Sequence, residues 1–90
     1  MSEGPLAPEE ITEAMIGIAF PKLTSRECGV YQWIIQGKTD REIGGILKIS
    51  TFTASTHVRN ILGKLQVVNR KAAANEAISV IICHRPPFAK

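Results

Sequence analysis

Side chains suited to recognition chemistry gather in one stretch of the chain: Thr51, Ser55, Thr56, Arg59 and Asn60. At helical spacing they lie opposite Ala54, Val58, Ile61, Leu62 and Leu65, which recur as an inward-facing apolar set. Small hydroxylated residues near a helix N-terminus let the backbone approach a phosphate or a base edge. An arginine one turn later reaches guanine O6 and N7 with two donors at once. That chemistry is hydrogen-bonded readout of double-stranded DNA rather than bond making. His57 has neither a nucleophile nor an orienting acid beside it in the sequence, so no catalytic residue is expected and the chain is not read as an enzyme. Cys28 and Cys83 form no CxxC pair and show no zinc-like spacing with His57 or His84, so both read as reduced thiols, with no metal and no cofactor expected.

Two capping boxes place the elements before this stretch. Thr24-Ser25-Arg26-Glu27 opens a helix from about Ser25 to Gln36, with Leu23 and Cys28 as its hydrophobic staple and Gly37 as its left-handed stop. Val30, Tyr31, Trp33, Ile34 and Ile35 give it a broad apolar face, with Trp33 read as core rather than as a stacking platform. Thr39-Asp40-Arg41-Glu42 repeats the box two residues later, and the helix it opens is expected to bury Ile43, Ile46 and Leu47. Lys48-Ile49-Ser50 leaves room only for a tight connection, and Ser50 caps a further helix running to about Leu65. Asn69 caps the last helix, which Pro86-Pro87 stops. Two helices joined this closely, the second carrying the polar stripe, are a helix-turn-helix signature.

The runs Leu23 to Glu27, Gly37-Lys38-Thr39 with Glu42-Ile43, Ile49-Ser50 with Thr53 and His57, and Lys64-Leu65 with Asn69-Arg70 resemble the DNA-binding domain of the LuxR/FixJ/GerE family of bacterial transcription regulators. The resemblance implies an all-α fold: a four-helix LuxR-type helix-turn-helix domain whose third helix enters the major groove and whose fourth commonly pairs two subunits. The family's base-contacting positions fall on Ser55, Thr56 and Arg59, and its backbone-contacting positions on Thr39, Thr53, Lys64 and Arg70. Lys38, Thr51 and Asn60 join the expected backbone contacts, and salt-sensitive phosphate contact is the role expected of Lys38, Lys64 and Arg70. Two departures stand out. Ala54-Ser55 replaces the usual Val-Lys and removes a cation from the interface, and Gly44-Gly45 stands where the family has alanine and a larger polar residue. Each glycine inside a helix costs about 0.5–1 kcal/mol against alanine, and close approach of the third helix across the second is the expected compensation.

Ninety residues, 44% of them hydrophobic, close one modest core and exclude a two-domain reading. The net charge of +3 conceals an asymmetry. Residues 1–20 hold four glutamates and no Lys or Arg, so the remainder carries 11 basic against 4 acidic residues, a balance of +7 suited to nucleic acid. No apolar run reaches membrane-span length and no signal-peptide pattern opens the chain, so no membrane partner and a cytoplasmic location are expected.

The expected organisation is an N-terminal arm over 1–22, the helix-turn-helix domain over 23–84 and a tail over 85–90. The arm is read as an additional N-terminal helix from about Pro8 to Ala19, with Ile11, Ala14, Met15 and Ile18 as its apolar face. It is either a packing or dimer-supporting arm over the core, or a remnant of or stand-in for a regulatory domain. The arm is too short for a receiver or a ligand pocket, so control of a complete chain of this length would come from abundance, a partner or DNA. The last helix is apolar around more of its circumference than one core contact buries, through Ala72, Ala73, Ala74, Ala77, Ile78, Val80, Ile81 and Ile82. A homodimer through Ala73, Ala77 and Val80 is expected, with Cys83 near the seam; contact with the N-terminal helix is the competing account of that surface. The functional expectation is a sequence-specific DNA-binding transcriptional regulator, with the transcription machinery as a further candidate partner. The alternative is an interaction module that heterodimerises with a related regulator and inhibits it.

Overall fold

The computed structural model describes residues 8–82; the expected helix stop at Pro86-Pro87, Cys83, His84 and the 85–90 tail lie outside the described residues. Every regular element described is helical. A 3-10 turn at Pro8–Glu10 leads into α1 (Glu13–Ala19), α2 (Ser25–Ile35), α3 (Asp40–Leu47), α4 (Thr51–Leu65) and α5 (Arg70–Ala77), which widens into a π-helical turn at Ile78–Ile82. Helices α2 to α5 are therefore the four helices of the expected domain. Among the described residues no helix is long and apolar enough to cross a membrane.

Side chains bonded to free backbone groups set the helix starts. Thr24 Oγ1 accepts from the Glu27 N–H at 3.1 Å while Glu27 Oε1 accepts from the Thr24 N–H at 2.9 Å. Thr39 and Glu42 repeat that exchange at 3.1 and 2.8 Å. Ser50 and Asn69 accept from Thr53 N–H and Ala72 N–H at 3.0 and 2.8 Å, opening α4 and α5. Gly37, at φ +85°, ends α2 with the Lys38 N–H bonded to the Trp33 carbonyl at 3.0 Å. Lys48 and Gln66, at φ 60° and 59°, end α3 and α4 in the left-handed region without being glycine, a conformation that crowds a β-carbon and that no sequence pattern flagged.

The core gathers Val30, Tyr31 and Ile34 from α2, Ile43 from α3, Ala54, Val58 and Ile61 from α4, and Ala73 and Ala77 from α5. Tyr31 is its hub. Its ring meets Phe20 edge-on at 5.4 Å, and its hydroxyl donates to the Ala73 carbonyl at 2.6 Å, tying α2 to α5. Burial pushes the phenol's pKa well up, so Tyr31 remains a donor.

Three expectations change. The N-terminal helix does not run from Pro8: the chain breaks at Ile11-Thr12 and Thr12 caps a shorter α1, accepting from the Met15 N–H at 3.2 Å. The restart shifts the phase, so Ile11 and Ile16 are buried while Ala14 is exposed and Ile18 is 84% exposed. In α3, Ile43 is buried and Leu47 half-buried, whereas Ile46 is 42% exposed, because the residue this helix turns toward the connection with α4 is Gly44. Ala73 and Ala77, expected at a dimer interface, are fully buried against the protein's own core, and half-buried Val80 packs on the same core. The π-helical turn lies against α1, which also packs along α2, so part of the apolar surplus of the last helix is covered within the chain.

The Gly44 contact is the close approach expected from Gly44-Gly45. A β-carbon there would stand 2.7 Å from the Ile49 carbonyl oxygen, inside van der Waals contact, whereas one at Gly45 meets nothing within 4 Å. Gly45→Ala is expected to raise the unfolding free energy by about 0.5–1 kcal/mol in urea titrations. Gly44→Ala should forfeit that gain, because Ile49 must move away. Equal gains from both variants would contradict this packing.

Candidate nucleic-acid interface

Helix α4, 15 residues long, presents the stripe. Its inner side is fixed by Ala54, Val58 and Ile61, all buried, with Leu62 and Leu65 packed at the core margin. Outward lie Thr51, Arg59 and Asn60, exposed, with Ser55 and Thr56 half-buried. Arg59 makes no ion pair with any described residue, so its guanidinium has its donors available. The Thr56 hydroxyl donates to the Phe52 carbonyl at 3.0 Å, one turn back along its own helix, which leaves its oxygen as an acceptor. The Thr53 hydroxyl accepts from the Ser50 hydroxyl at 2.9 Å and so belongs to the start of the helix. The structure thus brings Ser55, Thr56 and Arg59 onto one face of α4, with Thr51 and Asn60 exposed on its two flanks.

The remaining expected contacts are distributed differently. Thr39 spends its oxygen on the α3 cap, and Lys38, half-buried, offers its carbonyl to the Arg70 guanidinium. Arg70 also pairs with Asp40, joining the start of α5 to the start of α3. Lys64 pairs with Glu27 Oε1 at 2.8 Å and donates to the Lys22 carbonyl at 3.3 Å, joining the end of α4 to the start of α2. Both cations therefore fasten helices together.

Glu27 does two jobs, only one of which its sequence context announced. The oxygen that caps α2 also holds Lys64. Burial by itself pushes the Glu27 carboxyl up, but the hydrogen bond from Lys64, the bond from the Thr24 amide and the lysine's charge together hold it below its ordinary value of 4.5. Glu42, in the exposed twin box, is also lowered, chiefly by the Thr39 amide. Cys28 is buried, and burial raises its pKa with help from Glu13 and Glu27, so it sits as an unreactive thiol.

With this geometry in place, comparison with known proteins identifies the domain. Residues 21–77 match the family model described as bacterial regulatory proteins, luxR family. The chain belongs to the luxR family. Its relatives include the transcriptional activator protein SolR of Ralstonia nicotianae, 47% identical over 58 residues, which are 64% of this chain and 25% of SolR. The quorum sensing-dependent transcriptional regulator RpaR of Rhodopseudomonas palustris is 42% identical over 59 residues, 66% of this chain and 24% of RpaR. VjbR of Brucella ovis, described in the same words, is 41% identical over 64 residues, 71% of this chain and 25% of VjbR. The chain thus spans about a quarter of the length of these curated relatives. No solved structure gives a significant match. The luxR-family match holds every expected DNA contact but begins after α1, so the N-terminal helix is an addition to the family domain.

Two features of this luxR-family domain were not read from the sequence: the second partner of Glu27 and the exposure of Phe52. Glu27 read as a cap, and its distance in sequence from Lys64 hid the pair. Phe52, 76% exposed, lies one turn before Ser55 and Thr56, and that spacing was the available signal.

A carboxyl lowered in the folded chain contributes stability that is present above its ordinary value and lost as pH falls through the folded one. Unfolding measured from pH 7 to pH 3 should show stability falling on the acid side. Glu27→Gln, which keeps an acceptor oxygen but does not titrate, should flatten that fall. An unchanged acid slope would count against the pair. Lys64→Met, which strands the buried carboxylate, should cost about 1–3 kcal/mol at pH 7.

Proposed function

We propose that this chain is a sequence-specific DNA-binding transcriptional regulator that lays α4 in the major groove of duplex DNA. The observation that carries the reading is the outward face of α4, where Arg59 stands free of any internal ion pair beside hydroxyl and amide groups on a helix held rigid from behind. Arg59 reads a guanine, and Ser55 and Thr56 flank it as shorter base contacts. Thr51, Asn60, Lys38, Thr39 and Thr53 lie along the backbone, while the Thr51 and Phe52 amides, which precede the capped Thr53 amide and have no acceptor within the helix, favour a phosphate. Lys64 and Arg70 contribute mainly by fixing the helices that carry these groups.

Two copies pair across α5 in this reading, through its exposed Lys71 and Asn75 with half-buried Ala74 and, in the turn that follows, half-buried Ile78 at the edge, because Ala73 and Ala77 are spent on the core. A two-fold pair sets two copies of α4 on successive major-groove turns and calls for a pseudo-palindromic site. The work is cytoplasmic, where the DNA is. Internal pairing of Lys64 and Arg70 favours a second reading: the same fold heterodimerising with a related regulator and inhibiting it, with no DNA contact of its own.

Affinity selection of the purified chain on random duplex DNA at moderate salt separates them. Enrichment of a palindromic motif, with binding that weakens steeply as salt rises, is expected from the first reading. A folded chain that enriches nothing belongs to the second. On the selected site Arg59→Ala should cost about 1–3 kcal/mol and blur one base position; equal loss on all sequences would make Arg59 a phosphate contact instead.

A further inference from the structure

The stripe on α4 has an apolar member. Phe52, Ser55, Thr56 and Arg59 stand at i, i+3, i+4 and i+7, so they share one face of the helix, with Phe52 and Arg59 along its middle, away from the buried Ala54, Val58 and Ile61. Phe52 is the second residue of α4, and its side chain is 76% exposed. Of the described aromatic rings only Phe20 and Tyr31 pair, so Phe52 has no ring partner. Side chains in a helix lean toward its N-terminus, which carries the Phe52 ring to the leading end of the stripe.

The other groups on this face are polar. Arg59 offers donors, Thr56 an acceptor oxygen whose proton is already given to the Phe52 carbonyl, and Ser55 a hydroxyl. In the major groove the edges of the four bases differ in donors and acceptors, and one of them carries an apolar group, the C5-methyl of thymine. An exposed phenyl ring on a surface that otherwise hydrogen-bonds matches that group and no other feature of the groove floor. Resting on the DNA-binding reading above, we infer that Phe52 is a specificity-determining residue that packs on a thymine methyl. Seven residues separate it from Arg59, about 10 Å along the helix axis, or roughly three base pairs. The preferred half-site therefore carries a thymine about three base pairs from the guanine read by Arg59.

The test uses the full chain and its selected site, measured by fluorescence anisotropy. Each thymine is replaced singly by deoxyuridine, which deletes the methyl and leaves every hydrogen bond unchanged, and each duplex is titrated with wild type, Phe52→Ala and Phe52→Leu. Arg59→Ala, by blurring one position, marks the guanine from which the spacing is counted. One deoxyuridine, about three base pairs from that guanine, should weaken wild-type binding about three- to tenfold. Phe52→Ala should bind the thymine site that much more weakly and ignore the replacement, while Phe52→Leu keeps part of the sensitivity. The ring is exposed, so thermal unfolding of the variants should match wild type. Wild-type binding indifferent to every deoxyuridine overturns the inference, as does a Phe52→Ala that remains sensitive or binds as well as wild type. A wild type that binds no duplex brings down the DNA-binding reading itself, and this inference with it, a result distinct from a chain that binds and ignores methyl groups.

Discussion

The contact between Gly44 and the turn leading into α4 governs the geometry on which everything else rests. The Ile49 N–H reaches back to the Gly44 carbonyl at 2.9 Å, and the Ile49 carbonyl occupies the space a β-carbon at Gly44 would need. Lys48 takes up the left-handed conformation that lets the chain reverse so quickly, and Ser50 caps the next helix two residues later. The angle between α3 and α4 is thus set by backbone against backbone, with no flexible side chain between them to absorb error. The proposed reading, in which α4 presents Arg59 to a base edge, draws on that stiffness, since hydrogen-bond readout weakens steeply with misalignment.

Around this hinge the charged side chains divide by task. Lys64 and Arg70 sit at positions where the family resemblance implies phosphate contact, yet each is bonded inside the protein, to Glu27 and to Asp40. Each pair is partly shielded and links helices far apart in sequence, where an ion pair is worth more than on an open surface. Arg59, by contrast, has no internal partner among the described residues. A basic residue held by a neighbouring carboxylate orders the scaffold; one left free is available to a ligand. That difference depends on which acidic groups lie within reach, and neither charge count nor position along a helix contains it.

The N-terminal segment shows the same division in apolar terms. α1 lies before the part of the chain that matches the family, and it packs on α2 and the terminal π-helical turn. It thereby covers some of the hydrophobic surface that made the last helix look destined for a second copy. Ile11, Ile16 and Phe20 join the same core as Tyr31, so the added helix extends the domain's interior.

Much of the fold was legible in the sequence because it is encoded locally. The boxes at Thr24 and Thr39, the caps at Ser50 and Asn69, the glycine at 37 and the apolar spacing along α4 each involve residues within a turn of one another, and each forms as read. The polar stripe was legible for the same reason, since the spacing of residues along a single helix fixes which of them share a face. What the tertiary structure alone decided involves partners far apart in the chain: Lys64 with Glu27, Arg70 with Asp40, Tyr31 with Ala73, and the burial of Ala73 and Ala77. The phase of α1 belongs there too. Whether a helix begins at Pro8 or restarts at Thr12 turns on which residues find a core to enter, and periodicity fixes the spacing of a face without fixing what it meets.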